Sequence, residues 1–187
     1  HASMFLENLR IHSIGTATRH CVGVCSGASA SITRCEMRST GAACYSDGKG
    51  SSLLLLQCRA CGPGAGPLVT NYGFLEAEDC RFTGSKFMGV EVRMFGSCLL
   101  KKCTMSDNAG QGFCLYQGGL EAELRDCTIQ KCGRINRSAA VMVCSGNVRL
   151  RRCSIVDNRG DGIVVQDEDG SAHLDLNSCR LHSNGGA

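Results

Sequence analysis

Cysteine is the residue type in this sequence with the widest range of reactions. The chain has 15 cysteines among 187 residues, and thiolates bind zinc, act as nucleophiles and form disulfides. A structural zinc site takes four convergent Cys or His ligands, commonly as two close pairs. The single CxxC pair is Cys58 and Cys61, with Cys21 and Cys25 upstream, and no histidine stands in a motif that would activate a thiol. The pattern predicts no metal ion, no cofactor and no catalytic residue.

Seven cysteines recur at intervals of 22 to 26 residues, and their neighbours recur with them. Apolar or small residues lie five and three positions before each cysteine and two positions after it, as Val148, Leu150 and Ile155 do around Cys153. Because this alternation is typical of a strand with one buried face, we interpret the seven cysteines as an interior ladder. The ladder cysteines are Cys35, Cys58, Cys80, Cys103, Cys127, Cys153 and Cys179.

These cysteines are poorly placed for disulfides. Stacked parallel strands hold equivalent Cα atoms about 4.8 Å apart with parallel Cα–Cβ bonds, so the Cβ atoms do not reach the roughly 3.8 Å that a disulfide prefers. The odd number of cysteines is a second objection. Free buried thiols favour a reducing compartment, and we expect an intracellular protein of the cytoplasm, cytoskeleton or nucleus.

A second strand pattern follows each ladder cysteine after a polar turn. It is clearest at 112–115 and 162–165, and the turns before them contain Asn108 and Asn158. Since Asn enters left-handed backbone conformations readily, we expect it to form the corners. Each unit reads strand, turn, strand, loop, strand, and one unit cannot bury its apolar face alone. The sequence predicts an all-β fold, a right-handed parallel β-helix solenoid of about eight coils of roughly 24 residues.

The motif that carries this pattern is Cys-x-apolar, then Asn, then Gly-apolar-x-apolar. It is seen at Cys103, Asn108 and 112–115, and again from Cys153. It resembles the right-handed parallel β-helix of pectin-lyase-like proteins, including carbohydrate-binding proteins and sugar hydrolases. Similar repeats occur in F-box adaptors and in Shc SH2-binding and Nessun Dorma type proteins, where the resemblance implies partner binding. No catalytic motif of the lyases is matched, so the resemblance transfers no catalytic residue.

Basic residues recur just before successive ladder cysteines. Stacking of the coils would align them in a column about 10 Å long, which could hold an acidic peptide, phosphate groups or RNA. The alternative is that solvent-facing positions of a β-solenoid carry charge to prevent aggregation. A longer interval adds Arg134 and Arg137 in a neighbouring loop. The candidate column comprises Lys101, Lys102, Arg125, Arg149, Arg151 and Arg152.

Composition limits the class of protein further. The formal net charge is +3 with 43% hydrophobic residues and no Trp, which singles out neither a polyanionic partner nor a sugar cleft built on Trp. The longest apolar run, 53–56, is far below a membrane span. Residues 1–4 resemble a tag or cloning remnant, and 5–187 are expected to be a single β-helix domain excised from a larger protein. Uncapped ends would allow self-association.

These observations favour a non-catalytic interaction or scaffolding module whose partner is another protein. The first alternative is a carbohydrate-active enzyme or a sugar-binding domain. A further alternative is binding of phosphate or nucleic acid through the basic column.

Overall fold

The computed structural model describes residues 2–13, 20–167 and 170–185. Within them the chain forms three parallel sheets that enclose one interior. Sheet 1 has eight strands: β1 (Ser3–Glu7), β4 (Ser29–Thr33), β7 (Ser52–Leu56), β10 (Phe74–Glu78), β13 (Ser97–Lys101), β16 (Glu121–Arg125), β19 (Asn147–Arg151) and β22 (His173–Asn177).

The other two sheets complete each turn of the chain. Sheet 2 has eight strands: β2 (Arg10–Ser13), β5 (Glu36–Ser39), β8 (Arg59–Cys61), β11 (Arg81–Thr83), β14 (Thr104–Ser106), β17 (Thr128–Gln130), β20 (Ser154–Val156) and β23 (Arg180–His182). Sheet 3 has seven strands: β3 (Val22–Cys25), β6 (Cys44–Asp47), β9 (Leu68–Thr70), β12 (Val90–Val92), β15 (Phe113–Leu115), β18 (Val141–Val143) and β21 (Ile163–Val165).

Successive strands visit sheets 1, 2 and 3 in turn, so one circuit is one coil. The described residues hold seven complete coils and two strands of an eighth. Every pairing between neighbouring coils is parallel, as between β13 and β16 or β14 and β17. The predicted solenoid of about eight coils is therefore confirmed, with strand, turn, strand, loop, strand as its repeat.

The interior follows the alternation of the sequence. On each sheet 1 strand the second and fourth residues point inward, as Ala122 and Leu124 do on β16, and both are fully buried. The cysteine ladder is confirmed, since six of its members are buried and Cys179, in the last coil, is half-buried. Each thiol from Cys58 onward donates to two carbonyls, and for Cys153 these are Leu124 O at 3.3 Å and Arg151 O at 3.5 Å. Such bonds satisfy backbone groups where the chain turns between sheets 1 and 2.

The residue before each ladder cysteine adopts a left-handed conformation. All seven have φ between 51° and 56°, and none is glycine. This conformation is uncommon for residues with a side chain, so the stacked neighbours must hold the corner. The seven corner residues are Arg34, Gln57, Asp79, Lys102, Asp126, Arg152 and Ser178.

The left-handed conformation expected of Asn108 and Asn158 is wrong, although Asn71 and Asn136 do adopt it. The left-handed residues are Asp107 (φ 57°) and Asp157 (φ 56°), whereas Asn108 and Asn158 are buried. Asn158 Nδ2 donates to Ile129 O at 3.1 Å. Its Oδ1 accepts from the backbone N–H of Cys132, in the preceding coil, at 2.9 Å. The buried N–H and carbonyl of the preceding coil each need a hydrogen-bond partner, and the Asn158 amide supplies an acceptor for the first and a donor for the second.

The two ends differ from the interior coils. Ser3 and Met4, from the segment predicted to be a remnant, lie in β1 and pair with Ser29 and Ala30, whereas His1 lies outside the described residues. The origin of that segment stays a prediction. Across 2–13, 20–167 and 170–185, no helix is long and apolar enough to cross a membrane.

Candidate functional site

The basic column predicted from the sequence forms on the outer face of sheet 1. Lys101, Arg125 and Arg151 occupy one register position on three neighbouring strands. Each of them faces a carboxylate. Lys101 Nζ lies 2.7 Å from Glu76 Oε1, and Arg125 and Arg151 share Glu123 at 2.7 Å and 3.2 Å. The column is therefore a set of ion pairs.

The corner residues beside this row are paired as well. Arg152 donates to both oxygens of Asp126, at 2.7 Å and 2.8 Å. Lys102 Nζ lies 3.4 Å from a Glu78 oxygen. Asp126 thus separates two basic corners, one coil on either side. We call the paired basic residues of sheet 1 and its corner, together with their carboxylates, the charge ladder.

Of the remaining predicted basic residues, Arg149 belongs to the ladder, whereas Arg134 and Arg137 lie in a loop. Arg149 reaches Glu121 at 2.6 Å. Arg134, in the coil-six loop, donates to the Asp107 carbonyl at 2.9 Å and is exposed. Arg137 is exposed in the same loop with φ 52°. The structure therefore brings six of the eight predicted residues into one paired surface and leaves Arg134 and Arg137 in a loop between sheets 2 and 3, apart from the ladder.

Two carboxylates of the ladder, Glu123 and Asp126, are held in their charged form. The hydrogen bond from Arg125 lowers the pKa of Glu123, and that from Arg152 lowers the pKa of Asp126. Bidentate arginine–carboxylate geometry gives such pairs a fixed orientation. With six cations beside five carboxylates, the ladder presents a pattern of both signs and only a small excess of positive charge.

A cluster of exposed apolar side chains adjoins the ladder where sheet 3 turns into sheet 1. Tyr72 and Phe95 stack with ring centroids 4.9 Å apart and planes 12° apart. Both adopt φ 65°, although 53% of Tyr72 and 47% of Phe95 is exposed. Phe74 and Leu120 are exposed beside them. We call these four residues the aromatic corner.

The aromatic corner was not predicted from the sequence. Phe95 occupies the same turn as Tyr72, one coil later. The Tyr72 backbone N–H donates to the carbonyl of Met94, the residue before Phe95. The signal was the recurrence of an aromatic residue 23 positions on in a turn that otherwise carries glycine, as at Gly118 and Gly146. Outward aromatics in a left-handed turn are costly for the fold and enriched at protein interfaces.

A second cluster lies on the outer face of sheet 3. Tyr116 Oη donates to Glu91 Oε1 at 2.8 Å, and Arg93 Nη1 lies 3.3 Å from that oxygen and 3.2 Å from Tyr116 Oη. Glu91 is buried. Burial, and then the hydrogen bond to Glu91, raise the pKa of Tyr116. This cluster was not predicted from the sequence because Tyr116 lies one coil after Glu91 and Arg93, although the repeat length could have aligned them.

Burial makes two of the thiols, Cys98 and Cys114, poorly reactive in the folded chain. All 15 cysteines are free. Burial raises the pKa of Cys98, and that of Cys114 to about 12, so both stay protonated at neutral pH. In the part of the chain that the structure describes, no three His, Cys, Asp or Glu side chains converge on a metal position.

Comparisons with known proteins address the architecture. A family model described as "Right handed beta helix region" matches residues 1–138 and, again, residues 78–187. No curated protein sequence matches the chain. Among solved structures, the chain is similar to that of QnrB1, a plasmid-mediated fluoroquinolone resistance protein, at 13% identity and a TM-score of 0.25, over 97% of this chain and 92% of that one. We draw nothing on function from a likeness at that level.

Proposed function

We propose, on the premise that the chain belongs to the right-handed β-helix family, that it is a non-catalytic interaction or scaffolding module for a protein partner. The observation that carries the proposal is the aromatic corner directly beside the charge ladder. The register Phe74, Ser97, Glu121 joins the two surfaces on sheet 1. Aromatic residues surrounded by oriented charges are typical of protein interfaces.

The chemistry of the ladder favours a protein over a polyanion. A polyanion binds by neutralising free Lys and Arg side chains, but the ladder cations already have carboxylate partners. A protein surface with apolar side chains and charges of both signs complements this pattern without breaking the pairs. The proposed binding residues are Lys101, Lys102, Arg125, Arg149, Arg151 and Arg152, with Arg134 and Arg137 in the coil-six loop as a separate part of the surface.

The test inverts the ladder while keeping its pairs. One variant combines Lys101→Glu with Glu76→Lys and Arg152→Asp with Asp126→Arg, so net charge and pairing are unchanged. The matched control swaps the Arg34–Glu7 pair of the first two coils. Each protein is used to capture partners from native extract, and every captured protein is then purified and titrated against all three.

We expect the inverted ladder to lose a purified protein partner that the wild type and the control still bind. A Phe95→Ser variant should bind the same partner more weakly, because the aromatic corner supplies the apolar centre of the interface. Equal binding by all forms would refute the proposed surface. Capture of RNA without protein, abolished by ladder inversion, would support the polyanion alternative instead.

A carbohydrate-binding role is the second candidate, and one observation favours it. The stacked rings of Tyr72 and Phe95 present apolar faces to solvent, and Glu91 with Arg93 and Tyr116 forms an acidic and basic cluster on sheet 3. Soluble glycans titrated against wild type and Phe95→Ser distinguish the two roles. Saturable glycan binding that needs Phe95, with no protein partner found, would favour this candidate.

We also propose a reducing compartment for the protein, because its 15 free thiols would be exposed to oxidation elsewhere. Association through the terminal coils is proposed as a secondary property. Sedimentation velocity over a range of protein concentrations tests it, and a single monomeric species at all concentrations would refute it.

A further inference from the structure

A row of arginines on sheet 2 has a different environment from the charge ladder. Arg10, Glu36, Arg59 and Arg81 occupy one register position on four successive coils. Arg10, Arg59 and Arg81 are exposed on the outer face. We call these three arginines the arginine row.

No carboxylate neutralises this row. Within the described residues, Arg10, Arg59 and Arg81 take part in none of the ion pairs. Glu36 stands between Arg10 and Arg59, yet its carboxylate accepts a hydrogen bond from the Cys61 thiol at 3.7 Å and forms no ion pair with either arginine. The one acidic side chain of the row therefore leaves both guanidinium groups without an anionic partner.

Two of the arginines also oppose each other directly. Arg59 and Arg81 are cross-strand partners on β8 and β11, and the next residue in the row is Thr104, which is neutral. Like charges at directly opposite positions of a sheet are destabilising. A fold that only needed polar surface could place threonine here, as it does at Thr104 and Thr128.

Two of the three arginines, Arg10 and Arg59, border a concave surface that could hold a ligand. A groove of about 370 Å³ lies along the corner between sheets 1 and 2 in the first three coils, and its polar lining includes Arg10, Arg34, Glu36, Gln57 and Arg59. Arg34 is already engaged with Glu7 and Asn8. Arg59 is thus the residue shared by the groove and the opposed pair, and the Gln57 amide adds a neutral donor.

We propose that Arg59 and Arg81, with Gln57 and Arg10 along the groove, bind a phosphate-type oxyanion. The guanidinium fork matches the oxygens of a tetrahedral oxyanion bidentately. A doubly charged ion between the two side chains would replace their repulsion by two attractive contacts. The site lies on sheet 2, away from the charge ladder, so it goes beyond the interaction surface proposed above. The oxyanion is either free or carried by a phosphorylated side chain.

The experiment follows the side-chain Nε–Hε resonances of arginine in the full chain. The probes are inorganic phosphate, a Gly-Ser peptide with one phosphoserine, the same peptide without phosphate, and a single-stranded RNA of matched charge. The variants are Arg59→Gln, Glu36→Gln and Arg180→Gln. Arg180 is the control because it holds the same register position in the last coil and is exposed.

We expect phosphate to shift the Arg59 and Arg81 resonances saturably. Arg59→Gln should weaken binding roughly 10-fold or more, because a charge-assisted contact is lost. Glu36→Gln should strengthen binding, because it removes the nearest carboxylate, and Arg180→Gln should leave it unchanged. Tighter binding of the phosphopeptide than of phosphate would identify a phosphorylated segment as the source, and equal binding a free anion.

Three results would overturn the proposal. The first is a linear, unsaturated response to phosphate. The second is an equal loss on Arg59→Gln and Arg180→Gln, which would mean nonspecific attraction to any exposed arginine. The third is binding of RNA alone, with neither phosphate nor phosphopeptide shifting Arg59 and Arg81. Thermal unfolding of each variant confirms that it is folded, and Arg59→Gln should be at least as stable as the wild type because it removes a like-charge contact.

Discussion

The charge ladder of sheet 1 and the arginine row of sheet 2 use the same residue type in two opposite ways. Both place arginines at equivalent positions of successive parallel strands, on faces exposed to solvent. In the ladder, Arg152 finds both oxygens of Asp126 one coil away. In the row, Arg59 lies directly opposite Arg81 on the neighbouring strand. The neighbour one coil away, which is about 24 residues distant in sequence, therefore decides whether an arginine such as Arg152 or Arg59 has a carboxylate partner.

One interior supports both surfaces, so we expect substitutions in the core to have the largest effects. Phe82 lies under the arginine row and Leu124 under the ladder, and both are buried. We expect Phe82→Ala to lower the free energy of unfolding by about 3–5 kcal/mol and Leu124→Ala by about 2–5 kcal/mol. Urea unfolding measures both. A loss confined to one variant would show that the two regions unfold as separate units.

Alkaline pH should weaken both regions together, because buried thiols run through the whole interior. In the folded chain, burial raises the pKa of Cys98, and it raises that of Cys114 to about 12. In the unfolded chain a cysteine thiol has a pKa of about 8.5. Their contribution to stability is complete below that unfolded pKa and declines as pH rises toward the folded value. Unfolding between pH 7 and pH 10.5 should give constant stability at first and a decline above about pH 9.

A double variant, Cys98→Ala with Cys114→Ala, provides the control for the alkaline experiment. Its stability should depend less on pH above about 9 than that of the wild type. A wild-type protein that became more stable with rising pH would contradict the assignment of raised thiol pKa values.

The same change of charge should have opposite effects in the two regions. Arg81→Glu places a carboxylate opposite Arg59, and we expect it to raise the free energy of unfolding by about 0.2–1 kcal/mol. Arg152→Glu places a carboxylate against Asp126 and should lower stability. Thermal unfolding at low salt measures both changes. Shifts of the same sign in both variants would remove the distinction between ladder and row.

Salt should produce the smallest effect and identify its electrostatic origin. Arg81→Thr extends the threonine row of Thr104 and Thr128, and should be slightly more stable than the wild type at low ionic strength because it removes repulsion from Arg59. At about 1 M NaCl the screening length falls to about 3 Å, so the difference should vanish. A stability gain that persisted at high salt would indicate improved packing instead.

Much of the architecture could be predicted from the sequence. The phase of the ladder cysteines with residues such as Val148 and Leu150 marked the inner faces, because alternation along a strand assigns side chains to one face or the other. The turns were harder. Asn108 was expected in a left-handed conformation, but its amide is buried and bonded to Phe82 O and Ser85 N, since the unsatisfied groups of a neighbouring coil are not visible in the local sequence.

The candidate sites divide in the same way. The basic residues at Lys101, Arg125 and Arg151 were found from their place before the ladder cysteines, and their binding role stays a prediction. Their carboxylate partners were not found. Neither were the Tyr72–Phe95 stack of the aromatic corner and the Arg59–Arg81 pair of the arginine row, in which the two partners are 23 and 22 residues apart.

The sequence by itself determined the repeat, the inner faces and the cysteine ladder, because these depend on a period of two residues within a strand and on recurrence along the chain. Only the tertiary structure decided which charges meet. Coils differ in length, so the ion pairs that join neighbouring coils connect residues 24 to 28 positions apart, as in Lys102–Glu78 and Arg149–Glu121. A shift of one residue in this register would exchange attraction for repulsion, because the Coulomb energy depends on the distance and sign of the partner and not on the residue alone.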